Sequence, residues 1–108
     1  MSLFVVRHQH PAEACPAGDP QMGPMLLLHL APQNAETYGV NVQSHGVIDG
    51  QHTLYLIVNA DDEEKVEKFM APFAMAGSVE VQKASHCEDV VARAACKGRP
   101  LGHGLAIP

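Results

Sequence analysis

His52-Thr53-Leu54-Tyr55-Leu56-Ile57-Val58-Asn59 is the stretch on which the architecture turns. Side chains alternate between the two faces of a strand, so Leu54, Leu56 and Val58 share one face while Tyr55 and Ile57 share the other. Both faces therefore require cover. One helical layer shields one of them. The other needs a second layer, and in a chain of 108 residues the economical source is another copy of the same sheet.

Working outward from this strand, Asp49-Gly50 just before it is a hairpin signal, predicting a type I′ turn with positive φ at both central residues. The preceding strand spans 40–48, where Val40, Val42 and Val47 alternate with polar residues. A slip near Ser44-His45-Gly46 is expected, with Gly46 marking a bulge. After the central strand, Asp61-Asp62-Glu63-Glu64 opens a helix, with Asp61 as N-cap and Glu64 closing a capping box. Val66, Phe69, Met70 and Phe73 then stand at i, i+3, i+4 and i+7, a single apolar stripe. Pro72 predicts a late kink and Gly77 the stop. Residues 78–84 form a further strand with Val79 and Val81 inward. Ser85-x-x-Glu88 predicts a capping box for a short helix over 88–96, although Val90-Val91 leaves an added strand open.

Toward the N-terminus, Leu3-Phe4-Val5-Val6 begins a strand over 3–8 that is apolar on both faces near its start. The loop over 9–23 carries Pro11, Pro16, Pro20 and two glycines, and loops of that length are commonly functional. Pro24 suits the first turn of a helix in which Met22, Met25, Leu26 and Leu30 face the core. Pro32 predicts a kink or a second short turn before Gly39. Strand, helix, two-stranded hairpin, helix, strand is the order of an α+β, ferredoxin-like βαββαβ sandwich with an extra short C-terminal segment. With the two-sided central strand, the expectation is a homodimer of the dimeric α/β-barrel type. At about 25 cal/mol per Å² of apolar surface, an uncovered sheet face forfeits several kcal/mol.

One domain over 1–97 and a flexible tail over 98–108 account for the length. Hydrophobic residues make up 46% and charged residues 18%, the composition of a folded chain. The net charge of -5, without a Lys/Arg cluster, argues against nucleic acid and anionic membrane as partners. The apolar runs are too short for a signal peptide or a membrane span, so the expectation is a soluble, cytoplasmic protein. Three cysteines, Cys15, Cys87 and Cys96, are read as reduced thiols.

The chemistry concentrates in Arg7-His8-Gln9-His10-Pro11-Ala12-Glu13-Ala14-Cys15-Pro16. His8 and His10, two residues apart at a strand end, leave on the same face, which is a chelating arrangement. Glu13 and Cys15 follow on a loop that can fold back over the imidazoles and add a carboxylate or a thiolate. His8, His10, Cys15 and Glu13 are thus the candidate metal ligands, and Asp19, His29, His45, His52 and His86 are further ligand types without an assigned place. The same residues also fit ordinary hydrogen-bonded roles at a strand end, and a His-x-His pair alone is a weak signal.

The opening Phe4-Val5-Val6-Arg7-His8-Gln9-His10, the Asp49-Gly50 hairpin, Phe69-Met70-Ala71-Pro72-Phe73 and Val79-Glu80-Val81 together resemble small, uncharacterised ferredoxin-like proteins of the dimeric α/β-barrel type. Some of these bind nickel. The resemblance covers the body of the chain, and only its first motif carries chemistry, so it implies the fold more strongly than the metal.

Three functions compete. The first is binding of a transition metal ion, nickel, copper or zinc, through the His-x-His strand end and the loop cysteine. The second is a dimeric α/β-barrel enzyme with a histidine general base acting on a small molecule in the cavity between sheet and helices. The third is a non-catalytic regulatory or interaction module. No nucleophile paired with its base stands out, and Gly98 to Gly104 lacks the Lys-Ser/Thr of a phosphate loop.

Overall fold

In the computed structural model, which describes residues 1–96, four antiparallel strands form one sheet. They are β1 (Ser2–Gln9), β2 (Val40–Ile48), β3 (Thr53–Ala60) and β4 (Ser78–Ala84), in the order β2-β3-β1-β4. The helices are α1 (Met22–Leu30), α2 (Pro32–Thr37), α3 (Glu63–Ala74) and α4 (Cys87–Arg93). This is an α+β fold whose strand order is compatible with the ferredoxin-like arrangement. The expected tail over 98–108, and residue 97 before it, lie outside the described residues. No described helix is long and apolar enough to cross a membrane.

Register explains the core. Phe4 pairs with Val58, Val6 with Leu56 and His8 with Leu54 across β1 and β3. Antiparallel partners share a face, so these side chains form one buried surface, joined by Val79 and Val81 of β4 and Val40 and Val42 of β2. The α3 stripe of Val66, Phe69, Met70 and Phe73 is buried as its spacing requires. Together these residues form one hydrophobic cluster.

Several local details differ from the sequence reading. The register shift in β2 falls between Val42 and Ser44, so the extra residue is Gln43 and not Gly46. The hairpin is no two-residue type I′ turn. Ile48 pairs with Thr53, the Gln51 N–H donates to the Ile48 carbonyl at 3.2 Å, and positive φ falls on Gly50 and His52. Asp62, not Asp61, caps α3, accepting from the Lys65 N–H at 3.0 Å. Residue Lys65 occupies the place a capping-box glutamate would need, and Asp61 reaches its Nζ at 3.4 Å instead. The last segment is the expected helix and not the strand that Val90-Val91 left open, but it ends at Arg93 rather than Cys96. It begins at Cys87 behind His86, with no side-chain cap, and Ser85 accepts from Arg93 Nη1 at 3.0 Å. Pro32 separates two helices: Ala31 before it is extended, as the residue before a proline prefers.

The first helix is the main departure. Met22 and Met25, expected to face the core, are 48% and 60% exposed, and only Leu30 of α1 is buried. Leu26 packs against the core from its edge.

Candidate metal centre

Ladder geometry builds the site. Gln9 pairs with Thr53 at the end of the β1–β3 ladder, and the His10 N–H extends it by donating to the His52 carbonyl at 3.2 Å. His10 and His52 are thereby neighbours, with ring centroids 5.3 Å apart. His52 stands at φ +51, a left-handed conformation that histidine tolerates better than most residues but that still costs about 1–2 kcal/mol. Gly77 permits the approach from the other side: a Cβ there would run into the Gln9 carbonyl and the His10 Cα.

The loop after β1 returns Cys15. A single 3₁₀ turn (Ala12–Ala14) follows Pro11, closed by the Ala14 and Cys15 N–H groups donating to the carbonyls of Pro11 and Ala12 at 2.9 and 3.2 Å. Cys15 then lies with His10 and His52, each offering one ligand atom, all within 4.8 Å of one another. That spacing is close enough to hold a metal ion.

A chain of hydrogen bonds determines which nitrogen His10 offers. The Ser78 carbonyl can only accept, so the 2.9 Å contact makes His8 Nδ1 the donor. In a neutral ring this leaves His8 Nε2 as an acceptor, and His10 Nδ1 donates to it across 3.2 Å. The His10 proton is thus on Nδ1, and the lone pair on Nε2. Nε2 of His10 is buried and has no hydrogen-bond partner among the described residues.

The surroundings of both rings favour the neutral form. Burial pushes the His8 imidazolium below its ordinary pKa; the Ser78 contact opposes this and the neighbouring His10 charge reinforces it. Desolvation likewise lowers His10, with a smaller contribution from His52. Neutral imidazole is the ligating form.

The expected ligands divide accordingly. His10 and Cys15 come together. His8, 3% exposed and packed edge-on against Phe73, stands behind His10 with both ring nitrogens engaged, outside the close group. Glu13 is exposed on the 3₁₀ turn and is also outside it. His52, without an assigned place in the sequence reading, completes the group. Of the remaining histidines, His29 is structural: its ring stacks on Phe69 at 4.7 Å, Nε2 donates to the Phe69 carbonyl at 2.6 Å, and Nδ1 accepts from Asn34 at 3.1 Å. Asp19 accepts from the N–H groups of Gln21 and Met22 at 2.8 and 2.9 Å at the start of α1, which lowers its pKa. His45 and His86 are exposed and outside the group.

The group opens on a cavity of about 570 Å³ between α1, the β2–β3 hairpin and the end of β1. Its walls are mainly apolar, including Leu26, Leu30, Leu54 and Phe73. No protein-family model matches the chain, and no curated protein matches its sequence.

Proposed function

We propose that the chain is a small transition-metal-binding protein that holds nickel, copper or zinc on His10, Cys15 and His52, with His8 positioning His10. The observation that carries this reading is His10 Nε2, a buried lone pair without a partner among the described residues, beside a second imidazole and a thiol. An unsatisfied buried acceptor costs about 1–3 kcal/mol, and a bound cation would offset that cost. Two imidazoles with a thiolate favour nickel, copper and zinc over magnesium, calcium or manganese. Three protein ligands also leave a position for an exogenous one.

Titrating nickel, copper and zinc into wild type and into His10→Ala, Cys15→Ala and His52→Ala tests the site. Each substitution is expected to weaken binding sharply, because it removes a bond and the geometry imposed on the other two ligands. Four indistinguishable isotherms would eliminate the centre. His10 also lines the cavity, which favours a second reading, His10 as a general base toward a small molecule. Cys15→Ser separates the two: it weakens a metal and spares a base.

A further inference from the structure

We propose that the cavity beside the metal group binds a small apolar monocarboxylate, with its carboxylate on the metal and its hydrocarbon along the α1 wall. This deepens the metal-binding reading and rests on it. The first argument is shape. At about 570 Å³ the cavity falls in the range of small-molecule sites, and the same space is lined by the ligand group and by apolar side chains. An exogenous ligand on the open coordination position would therefore extend its remainder against hydrocarbon.

The second argument is the state of α1. Its sequence, MGPMLLLHL, is apolar apart from His29, yet only Leu30 is buried. Leu26, Leu27 and Leu30 line the cavity, and Leu27 is 66% exposed. An apolar helix that the other described residues leave largely uncovered, beside a cavity, is a wall that an apolar ligand would desolvate.

Charge selects the head group. Among the described residues no Lys or Arg lines the cavity, so recognition of an anion falls to the metal. A divalent ion with two neutral imidazoles and one thiolate retains one net positive charge. In an apolar surrounding that charge is best neutralised by a single negative one. Asp49 is the one carboxylate among the described lining residues and disfavours a ligand carrying a second.

The test is calorimetry on the full chain, first with zinc alone and then with acetate, butanoate, hexanoate and octanoate added to the zinc-loaded protein. Affinity is expected to rise about fourfold per methylene until the cavity is filled, the increment for burying a CH₂. Hexanoate should bind the zinc-free protein at least tenfold more weakly, and hexanol should bind the loaded protein at least tenfold more weakly. Leu27→Asn should take up zinc and flatten the chain-length dependence. Failure to take up zinc, nickel and copper alike overturns both the metal reading and this one, and where only nickel or copper binds the same series is run on that metal. Zinc uptake with a flat series, or with equal hexanoate affinity in loaded and zinc-free protein, overturns this inference alone.

Discussion

At the scale of single residues, His8 does its work without belonging to the close ligand group. It fixes the tautomer of His10 by accepting at Nε2 while donating from Nδ1 to Ser78. Partners of this kind typically account for about 10–100-fold in metal affinity. His8→Leu should therefore weaken zinc by that order in a competition titration, while His8→Gln, which keeps an acceptor near the position of Nε2, should recover most of it. Equal losses in both variants would mean that His8 acts only through packing. The depressed pKa values of His8 and His10 also make the metal-free protein acid-sensitive. Above the unfolded pKa of about 6.5 both states are neutral and the full stability is present. As pH falls below it, the unfolded chain takes up protons that the folded one resists, so stability declines until the folded pKa is passed. Urea midpoints should drop between pH 7 and pH 5, ahead of most carboxylate titration, and a flat profile there would show the rings to be well solvated. That His10 and Cys15 come near each other was legible from alternation and the short proline-bounded loop, but the same features put His8 and Glu13 forward equally, and both lie outside the close group. His52 was harder to find because its place depends on register between strands more than forty residues apart. With Gln9 opposite Thr53, the next pair outward is His10 and His52. A topology with β1 beside β3 contains that pairing, but apolar alternation alone permits several registers two residues apart.

At the scale of elements, α3 was the most legible and α1 the least. The α3 stripe survives a one-residue error in its cap, because moving the N-cap from Asp61 to Asp62 changes neither the spacing nor the face of Val66, Phe69, Met70 and Phe73. Phe69 is fully buried and also supports His29 and Tyr38, with ring centroids at 4.7 and 5.5 Å. Phe69→Ala should cost about 3–5 kcal/mol in chemical denaturation, with Glu67→Ala changing little. Comparable small effects at both would place the wrong face inward. Asp62→Ala should cost about 0.5–2 kcal/mol through the lost cap, a loss that Asp61→Ala should not reproduce. In α1, Met22, Met25, Leu26, Leu27, Leu28 and Leu30 surround the helix, so no spacing singles out a buried face. In the structure Leu26, Leu27 and Leu30 face the cavity and Leu30 is buried, an orientation that periodicity does not encode.

At the scale of the whole molecule, helices cover one face of the sheet, while the other keeps exposed apolar side chains among the described residues. Val5 pairs with Ile57 and Arg7 with Tyr55 on the second face, and Tyr55 and Ile57 are 39% exposed although β3 is an interior strand. Arg7 and Glu80 flank this patch, 4.0 Å apart, as polar residues flank the apolar centre of an interface. A second copy seated on this face would pack sheet on sheet at about 10 Å. Because a two-fold interface repeats every contact, one substitution changes it twice. Light scattering at micromolar concentration should accordingly report a dimer, and Ile57→Asp, which sets two like charges into the patch, should report a folded monomer. Ile57 lies on the opposite face from His8 and Leu54, so the variant should retain its zinc isotherm if each subunit carries its own centre. A wild-type monomer would remove the dimer and with it the barrel arrangement, while a dimeric Ile57→Asp protein would move the contact to another surface.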